Sequence, residues 1–195
     1  MTSRPVFLTV LLALVMLAGC GTSPKANFYT LGPDAAPMQG QPSFSVAISA
    51  VTVPDILDRP QMVLRSGANQ VVINDFERWA GTLKSEIARA IADNLTQMLS
   101  GAIVFAYPQG TNLTADYKVY IDIQRFDSAL GDAATVEVLW QVRPAKGEPK
   151  NGRSAVHEAT GGAGYEALVA AHNRALAAVS RDIANAIGAA SAASK

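Results

Sequence analysis

The residues that could do chemistry are few and lie far apart along the chain. The 195-residue sequence has one cysteine, Cys20, and two histidines, His157 and His172. A zinc site needs several Cys or His ligands at short spacings, which are not found here. The Gly-Gly-Ala-Gly run at residues 161–164 lacks the Lys-Ser/Thr pair of a phosphate loop, so a plain strand-to-helix connection is the better interpretation. No Gly-x-Ser-x-Gly element occurs, and the sequence therefore predicts a protein that is not an enzyme and has no cofactor.

Cys20 has the clearest chemistry because of what precedes it. Arg4 is followed by an apolar run over residues 6–18, interrupted only by Thr9, and the run ends in small residues. A basic head, a short apolar core and a small-residue site are typical of a cleaved export signal. The core is shorter than the roughly 20 apolar residues that span a bilayer. We therefore predict a signal peptide over residues 1–19.

The sequence Leu-Ala-Gly-Cys at residues 17–20 resembles the bacterial lipobox. In that motif the cysteine thiol receives diacylglycerol, and the signal is cut just before it. The resemblance implies a covalent lipid on Cys20, where each buried acyl methylene contributes about 0.8 kcal/mol to membrane attachment. The alternative is an ordinary signal with an incidental cysteine, but that thiol would have no intramolecular partner in an oxidising compartment. In enterobacterial lipoproteins, Asp directly after the cysteine retains the protein at the inner membrane. By resemblance to them, Gly21 at that position implies the periplasmic face of the outer membrane.

The mature chain has the size of one ordinary domain. The sequence contains 16 basic and 16 acidic residues, so charge gives it no reason to bind nucleic acid or an anionic lipid surface. We expect a lipidated tether over residues 20–27, a single domain over residues 28–190 and a flexible tail over residues 191–195.

The first half of the domain shows strand patterns and then one helix. Residues 28–31 and 44–53 are predicted strands, and Pro54 and Pro60 bracket a turn. Residues 62–64 and 71–73 are predicted to pair as a hairpin around residues 66–69. Apolar residues then recur at helical spacing from Trp79 to residue 99, and Gly101 is the expected C-cap.

The second half has two strongly alternating strands, over residues 117–124 and 136–143. Asn-Gly at residues 151–152 predicts a hairpin turn over residues 150–153, with a strand after it. The last helix begins after residue 164, and its end is predicted to fray from Gly188. This order indicates an α+β fold with a mostly antiparallel sheet and two long helices packed on one face.

Two clusters could form a binding surface. One lies over residues 53–63 and the other over residues 74–80. The alternative is structural: the prolines would shape a strand exit, Asp58 would cap a turn, and Arg59 would pair with a carboxylate. Trp79 would then pack into the core at the start of the helix, with Arg78 across its face. The candidate partner-binding or scaffold residues are Tyr29, Pro54, Leu57, Asp58, Arg59, Pro60, Arg78 and Trp79.

These clusters also carry a family resemblance over nearly the whole mature chain. The chain resembles the PqiC family, the ABC-type transport auxiliary lipoproteins. Phe28-Tyr29 stands where that family often has Tyr-Tyr, and Gly81-Thr82-Leu83 where it often has Pro-Leu. The residues that carry the resemblance are Cys20, Phe28-Tyr29-Thr30-Leu31, Pro54, Leu57-Asp58-Arg59-Pro60-Gln61, Arg78-Trp79, Leu83, Asn94-Leu95, Tyr117, Val119, Phe126 and Trp140.

The resemblance implies a role beside MCE-domain proteins, which bridge the Gram-negative envelope and carry lipids between membranes. The chain would be a non-catalytic accessory that docks the MCE tunnel protein at the outer membrane, with phospholipid and a second copy of itself as further possible partners. Two alternatives stay open. One is a lipid-binding carrier with a groove between sheet and helices, and the other is an envelope-maintenance lipoprotein that binds the cell wall.

Overall fold

The computed structural model describes residues 24–34, 43–106 and 114–193. The predicted signal peptide and Cys20 lie outside these ranges. None of the helices in these ranges combines the length and the apolar content that a membrane span requires. The elements are β1 (Asn27–Tyr29), β2 (Phe44–Thr52), a 3₁₀ turn (Asp55–Leu57), β3 (Gln61–Gly67), β4 (Gln70–Trp79), α1 (Leu83–Met98), β5 (Ala102–Ala106), β6 (Tyr117–Ser128), β7 (Ala133–Pro144), β8 (Lys150–Ala159) and α2 (Tyr165–Ala193).

The strands form one mixed sheet around β6. One edge of β6 pairs with β7, which pairs in turn with β8. The other edge pairs with β2 over Tyr117–Asp122 and touches β3 at Ser128. The α+β class is confirmed, and antiparallel pairing holds within the hairpins β3–β4, β6–β7 and β7–β8. The pairings β1–β4, β2–β5, β2–β6 and β3–β6 are parallel, and each joins strands that are not consecutive in the chain.

Both helices pack on one face of the sheet, as the sequence predicts. Ile87 and Ile91 of α1 and Leu176 of α2 are fully buried against the inward side chains of β6, such as Val119. These residues belong to one continuous apolar cluster between sheet and helices. The opposite face of the sheet, called the open face below, carries the alternate residues of the same strands.

Trp79 ends a strand and does not begin the helix, which corrects the predicted helix start. Its N–H donates to the carbonyl of Pro60 (2.8 Å), and its Cα pairs with that of Tyr29 in β1. Both contacts hold the backbone extended. The helix begins only at Leu83, after Thr82, whose side-chain oxygen accepts from the Ser85 N–H (3.3 Å).

The predicted turn over residues 150–153 is wrong, because Asn151 and Gly152 lie inside β8. The chain reverses before Lys150, and Gly147 in that connection has a φ of 106°. Gly152 serves a different purpose. A Cβ there would lie 2.1 Å from Cζ2 of Trp140, so the indole needs the bare backbone of a glycine.

Helix α2 continues through Ala193, past Gly188, where the sequence predicts fraying. Ile187 is fully buried and Ala190 is 8% exposed, so packing continues along this last stretch of the helix. Contact with the core stabilises helical residues that local propensity alone leaves marginal.

Candidate functional site

The open face carries a connected row of ion pairs across four strands. Arg65 of β3 binds Asp127 of β6 with Nε–Oδ2 at 2.7 Å, and Arg125 binds the same carboxylate. Arg125 also approaches Glu137 of β7 (3.5 Å), which Arg153 of β8 binds at 2.6 Å. The side chains at the two ends differ in exposure, with Arg65 at 31% and Arg153 at 65%. The row therefore presents an ordered pattern of charge to solvent.

Ion pairs with arginine side chains keep the carboxylates of Asp127 and Glu137 ionised. Burial alone would raise the pKa of Asp127, but hydrogen bonds from Arg65 and Arg125 outweigh it and hold that pKa below the usual range. The hydrogen bond from Arg153 likewise lowers the pKa of Glu137. The charge pattern of the row is therefore maintained at neutral pH.

A depression of about 370 Å³ lies beside Arg65 and Asp127. Its walls combine the ion pairs with apolar side chains from the 3₁₀ turn and the β3–β4 hairpin. Two of the predicted site residues, Pro54 and Leu57, belong to this wall. The full lining is Pro54, Ile56, Leu57, Val63, Arg65, Val71, Gln124, Arg125, Phe126, Asp127 and Glu137.

A second depression, of about 540 Å³, lies around Leu139 of β7. The Leu139 side chain is 43% exposed, which is unusual for a leucine in mid-strand. Tyr120 stands beside it, and the Arg143 guanidinium lies 5.0 Å from the centre of the Tyr120 ring. The lining is Ala50, Thr52, Tyr120, Ile121, Asp122, Leu139, Trp140, Gln141, Asn151 and Gly152. An apolar anchor with polar neighbours is an arrangement suited to binding another surface.

Tyr29 and Trp79 lie on the helix side of the sheet, not on the open face. Trp79 is 4% exposed and meets the edges of Phe126 and His172 at centroid distances of 6.1 and 6.2 Å. The Tyr29 ring lies 6.0 Å from that of Tyr165 at the start of α2. Burial, and then the neighbouring Glu77 carboxylate, raise the pKa of Tyr29 to about 12. These contacts are those of a scaffold.

The other predicted site residues are divided between contacts within the domain and the surface. Asp58 binds Lys84 of α1 with Oδ2–Nζ at 2.7 Å, and Pro60 accepts the Trp79 N–H. Arg59 has a buried Nε with no hydrogen-bond partner among the described residues, so the predicted carboxylate partner is not seen there. Arg78 donates from Nε to the Asp75 carbonyl (2.7 Å). The structure therefore does not bring the eight predicted residues together into one site.

Two polar clusters were not predicted from the sequence. Glu86, Asn94 and Asn173 on the helices accept the backbone N–H groups of Leu31, Asp34 and Gly32. They hold the segment after β1 across both helices. The sequence shows that these helix residues are polar. It does not show which distant backbone N–H groups their side chains reach.

The second unpredicted cluster surrounds His172, which is fully buried. Its Nε2 lies 2.8 Å from the Ser128 hydroxyl. Because both side chains are enclosed, the pair has no access to a substrate. His157, by contrast, is exposed on β8 and contacts the Thr135 hydroxyl (2.8 Å). Within the described ranges, no three His, Cys, Asp or Glu side chains are grouped as metal ligands.

Comparison with known proteins agrees with this fold. A solved structure of an uncharacterized protein shares 21% identity and a TM-score of 0.68, covering 84% of this chain and 99% of its own. Protein XCC0632 from Xanthomonas campestris shares 20% identity and a TM-score of 0.59, covering 80% and 92%. No curated protein matches the chain. The family described as "ABC-type transport auxiliary lipoprotein component" matches residues 29–184, and the chain therefore belongs to that family.

Proposed function

We propose that this lipoprotein is the outer-membrane accessory of an MCE/ABC-type lipid transport system, and that its open face docks the MCE-domain partner. Membership of the transport-auxiliary family supports a transporter partner. The identity of that partner, the membrane and the docking surface are our proposal. The role is one of holding and positioning, and it requires no catalytic group.

The observation that carries this proposal is the polar, ordered surface of the open face. The row of ion pairs that begins at Arg65 and ends at Arg153 sets a fixed charge pattern. The exposed apolar side chain of Leu139 lies on the same face. Protein interfaces combine such features, since an apolar anchor supplies affinity and complementary charge selects the partner. The open face is also free of the helices, which cover only the other side.

The proposed anchor limits where this face can work. Asn27, the first residue of β1, follows Cys20 by seven residues. Seven extended residues reach only about 25 Å. The domain would therefore meet its partner close to the membrane surface, as expected of an accessory that receives the end of an envelope-spanning tunnel.

A lipid-binding carrier is the first alternative function. A carrier of this fold would place an acyl chain between the sheet and the helices. That space is filled by side chains with no exposed surface, namely Val119, Ile91, Leu95 and Leu176. An acyl chain there would have to displace close-packed core side chains, which is costly. The interior therefore favours the docking proposal over the carrier.

The test is cross-linked affinity purification of the lipidated chain from native membranes, followed by mass spectrometry of proteins, lipids and cell-wall fragments. Leu139→Arg changes the exposed leucine in the second depression of the open face. Leu130→Arg is its matched control, because Leu130 is also a leucine and is 44% exposed, against 43% for Leu139.

We expect the wild type and Leu130→Arg to recover an MCE-domain protein and Leu139→Arg to lose it. Equal recovery with both variants would reject the open face as the docking surface. Lipid recovered without an MCE protein would favour the carrier, and cell-wall fragments would favour the envelope-maintenance function.

A further inference from the structure

The first half of β4 exposes apolar side chains on both of its faces. Val71, Val72 and Ile73 are 44%, 47% and 37% exposed, although neighbouring residues of a strand point to opposite sides. Leu64 of β3, which pairs with Val72, packs against Leu168 and Ala171 of α2. Val72 lies one strand further out, where the helix no longer covers the sheet.

This part of β4 is also an open sheet edge. β3 pairs along one side of β4, whereas β1 pairs on the other side only with Glu77–Trp79. No other strand of the described residues pairs there. Soluble proteins usually block an open edge with charge or proline. Residues 70–74 read Gln-Val-Val-Ile-Asn and contain neither. Neither kind of protection is therefore present along this part of the edge.

The direction of β1 links this edge to the proposed anchor. β1 runs parallel to β4 with Asn27 opposite Glu77, so the chain enters β1 from the side on which the β3–β4 turn lies. Cys20 precedes Asn27 by seven residues, and Gln70 precedes Glu77 by the same number. Seven strand residues span about 23 Å, within the roughly 25 Å that the tether can reach. A lipid on Cys20 is therefore within reach of the exposed part of β4.

The chemistry of the hairpin suits a phospholipid surface. The carboxylates of β4, Asp75 and Glu77, lie toward the end of the strand that pairs with β1. The stretch of residues 61–74 contains no acidic residue. Its one charge, Arg65, is already paired with Asp127 on the open face. Apolar side chains that follow the exposed amide of Gln70 match the boundary between acyl chains and headgroups.

We propose that Val71, Val72 and Ile73 rest on the phospholipid leaflet that carries the Cys20 lipid. The inference depends on the lipid anchor of the proposed function and adds an orientation to it. In this orientation the β4 edge of the sheet faces the membrane. The open face remains accessible to a protein partner. A single tether would leave the domain free to tumble, whereas this second contact holds it in one pose.

The test uses the lipidated full chain in vesicles of phosphatidylethanolamine and phosphatidylglycerol. Lipidation consumes the thiol of Cys20, so Val72→Cys introduces the only free thiol for an environment-sensitive fluorophore. Ile103→Cys is the control, because Ile103 is 54% exposed on β5, at the other end of the strand order from β4. We expect a blue shift and quenching by nitroxide-bearing lipid at position 72, and neither at position 103.

Flotation of the vesicles separates the two ways of failing. Protein that floats but shows no quenching at position 72, or equal quenching at both positions, overturns the inference and leaves the anchor intact. Protein that does not float refutes the anchor, and the membrane contact with it. Cross-linking of position 72 to another protein without quenching would assign the edge to a protein partner and also overturn the inference.

Discussion

The imidazole of His172 lies flat on the ring of Phe126, with centroids 4.0 Å apart and an angle of 4° between the planes. The stack joins α2 to the C-terminal end of β6, and Trp79 lies against it edge-on. Burial lowers the pKa of His172 to about 3, so the ring is neutral in the folded protein. The Nδ1 atom is buried without a partner among the described residues, and protonation there would place an uncompensated charge in the core.

We expect acid to destabilise the fold through His172. The unfolded chain binds this proton below about pH 6.5, whereas the folded chain does not until about pH 3. The unfolded state therefore gains up to about 1.4 kcal/mol per pH unit between those values. Urea unfolding from pH 7 to pH 4.5 checks this. The slope of stability against pH should flatten in His172→Gln and stay unchanged in His157→Gln, and an unchanged slope in both variants would contradict it.

The close approach of Trp140 to Gly152 leaves no space for an alanine side chain unless the neighbouring atoms move. Three indole carbons lie 2.1, 2.4 and 2.6 Å from the added Cβ. Gly152→Ala should lower the free energy of unfolding by about 1–3 kcal/mol, because the indole or β8 must shift. Gly32→Ala is the control, since nothing lies within 4 Å of its Cβ. Thermal melts of both variants measure the difference, and equal melting temperatures would rule out the steric explanation.

Glu86 should act as the clamp that holds the segment after β1. Its Oε2 accepts the Leu31 N–H (3.0 Å) and binds Arg89 (2.6 Å). Glu86→Ala leaves a buried N–H without an acceptor, so we expect a loss of about 1–3 kcal/mol. Asp93→Ala removes only an exposed partner of Arg89 at 3.7 Å and should cost less than about 1 kcal/mol. Hydrogen exchange at the Leu31 amide should accelerate in the first variant only.

Trp79 and Arg78 are neighbours in sequence, but they should respond to mutation very differently. Trp79→Ala removes a 4% exposed indole and should destabilise the fold by about 3–5 kcal/mol. Arg78→Ala removes a side chain bonded to the nearby Asp75 carbonyl, with little expected effect on unfolding. Urea unfolding compares the two. A stable Trp79→Ala protein that fails to bind its partner would instead place Trp79 in the interface.

Cys20 should decide whether the chain is attached to a membrane. Cys20→Ala removes the predicted acceptor thiol, so we expect the protein to move to the soluble periplasmic fraction. Gly21→Asp keeps the thiol and should move the lipidated protein towards the inner membrane. Membrane fractionation and the mass of the amino-terminal peptide check both outcomes. An anchored Cys20→Ala protein would contradict lipidation at this residue.

Local patterns in the sequence were sufficient for most of the elements. The stripe of Leu83, Ile87, Ile91 and Leu95 predicts α1 apart from its start, because helix periodicity and burial depend on residues close together in the chain. The alternation in β6 and β7 predicts two half-buried strands for the same reason. The lipobox and the Leu-Asp-Arg-Pro-Gln and Arg-Trp elements are linear patterns, and they led to the family that the comparison confirms.

Only the tertiary structure decided how distant segments meet. Asn-Gly favours a turn locally, but packing of Trp140 on Gly152 makes the same residues part of β8. Trp79 is drawn into a strand by its pairing with β1. The parallel pairings, the clamp at Leu31, the ion-pair row and the open edge of β4 all depend on contacts between residues far apart in sequence. Such contacts gain their free energy from the assembled core, and the pattern of any one segment does not encode them.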